Sequence, residues 1–238
     1  MSREPSLYSL SISFMVLMLV IGMYGFFHSP FFSVESIQAS GSSYTVEKLA
    51  RVAGIEEGTS LLRLNVELAA KRLEEEPIIY RAIVRRHLPN LVFIEIEERT
   101  PVAMVPHGSE FWGVAVDGTV LGRVDIAGVS LPIITGVDAS LLAIGRRNLS
   151  ELVIATTMLE GLTPAIRDQI SEVNVRERDG LRLVSRDLIE FYLGGPGQMG
   201  EKLQVVAAFL PRLGSTAAPS NMLVDVSNPN RPVVRKQP

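Results

Sequence analysis

From Leu7 to Phe27 the chain reads LYSLSISFMVLMLVIGMYGFF, and no Asp, Glu, Lys or Arg stands anywhere between Glu4 and Glu35. Twenty-one residues of helix rise about 31 Å, the thickness of a bilayer's hydrocarbon core. Eleven of them are Leu, Ile, Val or Phe, each contributing about −0.3 to −0.6 kcal/mol to insertion at the helix centre. Tyr8 near one end and Tyr24, Phe26 and Phe27 near the other suit the headgroup level. A cleaved secretory signal is the competing reading. It calls for a shorter apolar run and a small-residue cleavage site, whereas this run leaves through Phe26-Phe27-His28-Ser29-Pro30-Phe31. The expectation is an uncleaved transmembrane helix over 7–27. Arg3 and the α-amino group lie on its short side, and the first Lys or Arg beyond it is Lys48. By the positive-inside rule, the tail 1–6 is then cytoplasmic and everything after the helix lies outside.

The part beyond the helix is long enough for one large or two small domains. The 238-residue chain has a net charge of -3 and no cysteine. That charge provides no overall basic field for nucleic acid. The missing cysteines remove disulfides, zinc-finger spacings and thiol nucleophiles, so core packing alone must hold the exterior together.

Val34-Glu35-Ser36-Ile37-Gln38 alternates as a half-buried strand does. After Gly41, Thr45 is placed to cap a helix whose Val46, Leu49, Ala50 and Ala53 share one face. Asn65 is placed to cap another, with Val66, Ala69, Ala70 and Leu73 inward and Pro77 beyond its end. Strands over Arg81 to Leu88 and Leu91 to Glu98 follow, joined at Pro89-Asn90, and Arg85, Arg86 and His87 are expected to face Glu95 and Glu97 across the pair. The order strand, helix, helix, strand, strand makes one sheet backed by two helices.

From Pro101 the texture changes to short strands: Val102 to Pro106, Phe111 to Val116, Thr119 to Leu121 and Leu131 to Thr135. Asn148 and Glu151 have the spacing of a capping box for a helix with Leu152, Val153, Thr156 and Leu159 inward. A hairpin turns at Glu177-Arg178-Asp179-Gly180 between Glu172 to Arg176 and Leu181 to Ser185. Leu188 to Leu193 is a further strand. The last helix has Leu203, Val206, Ala207 and Leu210 on one face, and strands at Met222 to Val226 and Val233 to Arg235 close the chain.

In this order of elements the chain resembles the FtsQ/DivIB family of bacterial cell-division proteins. The resemblance is carried by Val34 to Gly41, by Pro89 to Ala103 with Glu98-Arg99-Thr100-Pro101-Val102-Ala103, and by Val116-Asp117-Gly118-Thr119. Glu201-Lys202-Leu203 to Leu213 and Leu223-Val224-Asp225-Val226 complete it. The resemblance implies an α+β protein: a cytoplasmic tail (1–6), one transmembrane helix (7–27), a POTRA domain of β-α-α-β-β order (32–99) and a mixed β-domain with packed helices (100–228). A C-terminal edge strand and tail (229–238) follow. It further implies a non-enzymatic scaffold of the divisome in the cytoplasmic membrane at the septum. Such a scaffold binds the single-span partners FtsB and FtsL outside the membrane and links them to septal wall synthesis, with other division proteins meeting the POTRA domain. Neither cofactor, metal, small-molecule substrate nor nucleic acid is implied. Partner binding in the family runs through strand addition to the last edge, which maps here onto Val224, Val226, Arg231, Val233, Val234 and Arg235. This chain departs from the family pattern at Ser227-Asn228-Pro229, and Arg231-Pro232 limits the ladder that the edge can form.

Two other classes compete. A membrane-anchored POTRA transport or assembly factor would also capture extended chains by strand addition. Its outer-membrane forms carry a long barrel, which the mixed α/β segment after Pro101 does not supply. An anchored hydrolase would use His107 and Ser109, but His107-Gly108-Ser109 reads as a turn and no G-x-S-x-G elbow exists. Gly195-Pro196-Gly197-Gln198-Met199-Gly200 matches a dinucleotide fingerprint in letters only, since too little chain follows for a βαβαβ half. Glu74-Glu75-Glu76 reads as a solvated helix end.

Overall fold

The computed structural model describes residues 7–27, 30–125, 130–214 and 222–236, with no side-chain description at 7–10, 27, 177, 213 and 214. Leu7–Phe27 is one continuous 21-residue helix, α1. The described side chains of α1 run only from 11 to 26. Among the described residues no helix is long and apolar enough to cross a membrane. After Glu98 the chain divides into two compact units.

The first unit has a three-stranded sheet of β1 (Ser36–Ser40), β2 (Ile79–His87) and β3 (Leu91–Glu98), ordered β1-β3-β2, with α2 (Val46–Ala53) and α3 (Val66–Glu74) between β1 and β2. Both helix starts form as their caps dictate. Thr45 accepts from the Lys48 amide at 3.4 Å and Asn65 from that of Leu68 at 3.0 Å. Leu49, Ala53, Ala69 and Leu73 bury against Ile79, Val84, Val92, Ile94 and Ile96. Gly41 ends β1 at φ +79, where a Cβ would sit 2.0 Å from the Ile96 carbonyl oxygen. The Glu98 carboxylate at the end of β3 ties the following loop, accepting from the Ser42 hydroxyl (2.8 Å) and from the Ser43 amide (2.6 Å) and hydroxyl (2.8 Å).

Two expectations shift here. The first strand begins at Ser36 rather than Val34, because Val34 is engaged elsewhere. Its amide donates to Thr59 (2.8 Å) and its carbonyl accepts from Gly58 (2.8 Å), while Leu61 donates to Phe32 (2.7 Å). Among the described residues only Arg85 of the basic trio meets a carboxylate, pairing with Glu95 at 3.0 Å. Side-chain alternation puts Arg86 on the helix-covered side with Ala82 and Val84, and it donates to the Leu64 carbonyl at 2.6 Å. His87 meets the Phe93 ring edge-on.

The second unit is built on a nine-stranded mixed sheet. In chain order its elements are β4 (Pro101–His107), β5 (Glu110–Ala115), β6 (Val120–Arg123), β7 (Ile133–Thr135), α4 (Ser150–Glu160), the four-residue α5 (Pro164–Arg167), β8 (Ile170–Asn174), β9 (Leu181–Ser185), β10 (Ile189–Gly194), α6 (Met199–Gly214), β11 (Met222–Asp225) and β12 (Val233–Lys236). Across the sheet the order is β12-β11-β10-β9-β8-β7-β4-β5-β6. β10 and β11 run parallel, so the chain must cross over between them, and α6 is that crossover. Leu152, Met158 and Leu159 of α4 share one core with Leu203, Val206 and Leu210 of α6 and with Val173, Leu183, Phe191 and Val224 of the sheet.

The capping box at Asn148 does not form. Asn148 takes φ 61, a left-handed turn that Asn tolerates. A capping side chain needs extended backbone, so Leu149 becomes the N-cap without a side-chain bond. Val153, expected inward, is 38% exposed, and Ala155 and Met158 complete the buried stripe instead.

Candidate functional site: an open sheet edge

The two margins of the nine-stranded sheet are β12 and β6. β12 pairs antiparallel with β11 through Asp225↔Val233, Val224↔Val234, Leu223↔Arg235 and Met222↔Lys236. The turn between them is built from short polar side chains. Asp225 Oδ1 accepts from the Ser227 amide (3.0 Å) and hydroxyl (2.6 Å), and Asn228 Oδ1 accepts from the Asn230 amide at 3.1 Å. The Arg231 amide then donates to the Asn228 carbonyl at 3.1 Å. Pro232 stands immediately before the ladder, where its missing N–H interrupts nothing and its fixed φ starts an extended chain.

All four residues of β12 are exposed. Val233 is 44% and Val234 46% exposed, unusually open for β-branched residues in a strand. A strand paired on one side only leaves alternate N–H and C=O groups facing outward, the groups that a partner strand takes up. Arg231, Arg235 and Lys236 make this margin basic, with no carboxylate between residues 229 and 236.

The structure divides the sequence-expected residues into two groups. Val233, Val234 and Arg235 form the open strand, and Arg231 is exposed on the turn leading into it. Val224 and Val226 are fully buried. They hold β11 to the core, and Val226 also donates its amide to the Tyr192 carbonyl at 2.8 Å. Sequence reasoning left out Lys236, the fourth residue of the strand. The signal was there, in a run of two β-branched and two basic residues.

The other candidate sites resolve into local structure. Lys202, 3% exposed, donates from Nζ to the Gly195 carbonyl at 2.7 Å. Burial lowers its pKa from the ordinary lysine value. The glycine-rich loop before α6 is thereby pinned by a side chain of α6 itself. His107 lies on the Trp112 ring, 3.8 Å between centroids, and its strand position pairs with Glu110 across the turn that contains Ser109.

At the far margin, Arg99 reaches Asp117 at 2.9 Å with its side chain only 5% exposed. Burial alone would raise the Asp117 pKa, but bonds from Thr119 and Arg99 outweigh it and hold the carboxyl below its usual value.

The FtsQ-type POTRA domain family matches residues 32–99, and the C-terminal domain family of the cell division protein FtsQ/DivIB matches residues 103–227. The chain belongs to the FtsQ/DivIB family. It is 31% identical to the cell division protein FtsQ of Myxococcus fulvus over 86% of this chain and 72% of that one. It is 32% identical to FtsQ of an Anaeromyxobacter species over 84% and 69% of the two chains. The major extracytoplasmic domain of DivIB from Geobacillus stearothermophilus matches with 21% identity and a TM-score of 0.33, covering 49% of this chain and 97% of that one. Like its family, the protein acts in bacterial cell division together with other division proteins.

Proposed function

We propose that the protein is a single-pass, non-enzymatic scaffold of the divisome, with the tail 1–6 cytoplasmic, α1 in the membrane and both units outside. Its working surface is the outward side of β12, which receives an extended segment from an FtsB-like partner held together with an FtsL-like one. Through them the scaffold is linked to septal wall synthesis. The domain limits 32–99 and 100–228, with 229–238 as edge strand and tail, belong to the same reading.

The observation that carries it is the open β12 margin. Among the described residues it has one paired side, four exposed residues and a turn whose own hydrogen bonds fix the register. The basic character of Arg231, Arg235 and Lys236 favours a partner segment bearing Asp or Glu, since opposite charges across a strand pair stabilise it. The test is capture of FtsB-like and FtsL-like partners by the full chain in detergent, with and without residues 229–238. Capture that survives the deletion would place the site elsewhere.

A further inference from the structure

The end of the first unit nearest α1 carries two exposed large apolar side chains that its core does not use. Phe31 is 60% and Leu88 64% exposed. They are far apart in sequence, but the fold brings their segments to the same end. β1 runs parallel to β3 and starts beside its first residues, with Ser36 opposite Leu91. The amides of Glu35 and Ser36 both donate to the Asn90 carbonyl, at 2.9 and 3.3 Å. The Leu88-Pro89-Asn90 turn therefore lies at the end where the chain enters from α1.

That end is coupled to α1 closely. Phe32 is 7% exposed. Its ring meets Phe26 of α1 edge-on with centroids 5.2 Å apart, and Phe31 at the same separation. The backbone bonds of Phe32 and Val34 to the 58–61 segment fix the same stretch from the other side. Phe31 stands four residues after the last residue of α1 and remains 60% exposed. Single exposed apolar residues are ordinary on a protein surface. Two of them at the base of a unit clamped to a membrane helix have an occupant within reach.

We propose that this base, through Phe31 and the Leu88 turn, seats the first unit in the headgroup region of the bilayer that holds α1. The proposal rests on reading α1 as an anchor. Exposed Glu35, Glu56 and Glu57 share this end with Arg63, Arg86 and His87. The charge is mixed, so docking depends on apolar insertion and not on anionic lipid.

The chain has no cysteine, so single nitroxide labels can be placed in the full-length protein, reconstituted in phosphatidylcholine vesicles. Labels replace Val16, Phe31, Leu88 and, at the far end of the unit, Glu75. Relative access of oxygen and a water-soluble nickel chelate gives depth. The expected result is Val16 at mid-bilayer, Phe31 and Leu88 about 5 Å below the phosphates, and Glu75 in water, unchanged when anionic lipid is added. Val16 deep with Leu88 in water overturns the docking and leaves the anchor standing. Val16 in water removes the anchor and the docking with it. A label at exposed His87 decides the same question should Leu88→Cys fail to fold.

Discussion

The sheet of the second unit ends differently on its two sides. Beyond β6 the chain's own 143–146 segment has taken up edge groups: Val120 donates to the Arg146 carbonyl at 3.0 Å and accepts from Gly145 at 2.8 Å. Beyond β12 no strand follows among the described residues, and every residue of the strand is exposed. The closed side also holds the pair of buried Arg99 with partly exposed Asp117, with Gly118 at φ +75 turning the chain next to it. One margin is covered by its own chain, and the other stands open among the described residues. An open sheet edge invites self-association, and the three basic residues near β12 discourage pairing between two copies.

The sharpest way to break this comparison is to remove 229–238. Losing the whole edge strand forfeits about one net hydrogen bond per outward group, so partner affinity should fall by roughly two orders of magnitude in a titration. Far-UV circular dichroism should still show a folded chain. An equal loss on deleting the 143–146 cover would mean the two margins are not distinct.

Next in size is Asp117→Ala. It removes the carboxylate that the nearly inaccessible Arg99 guanidinium meets. Because Asp117 is partly solvated, about 1–3 kcal/mol of unfolding free energy is expected, measured by urea denaturation, with partner affinity unchanged. The same carboxylate makes a pH prediction. Its folded pKa is depressed, so its contribution is fully present above the unfolded value, near 3.9, and is lost as pH falls through the lower folded one. The acid limb of the parent's stability curve should be steeper than that of Asp117→Asn.

Smaller again is the pair Val234→Pro and Arg235→Pro. Neighbouring residues in a strand aim their N–H groups to opposite sides. One variant therefore strikes the bond to β11 and the other an outward donor, and the outward one should cost about tenfold in affinity without loss of stability. Equal behaviour of the two would deny β12 its strand pairing. The smallest effect is expected from Arg235→Glu, a few-fold slower association at low salt that fades as salt is raised.

Much of this was legible. Thr45 and Asn65 cap where their chemistry says, and the Leu91 to Glu98 alternation gave a strand to the residue. The failures have a common cause in bonds made to distant segments. Val34 looked like the start of a strand because its alternation is right, but Thr59 and Gly58 took its backbone. Arg86 sat in a basic run facing acidic residues, yet the pleat turned it toward Leu64. Asn148 had the letters of a capping box, and only its dihedral revealed that it was a turn. At the site, the Val-Val-Arg run announced an edge, whereas the burial of Val224 and Val226 depended on a core shared with α6. Nothing local to Val120 foretold that residues 145 and 146 would close its side.

The parallel pairing of β10 with β11 has a consequence for anyone mapping this surface by mutation. Because α6 lies in the crossover that leads to β11, and β12 rests on β11 in turn, a defect deep in the helix is transmitted outward. Truncating Leu210 would misalign the rim without ever meeting a ligand, and a screen scored only on capture would report it as a contact.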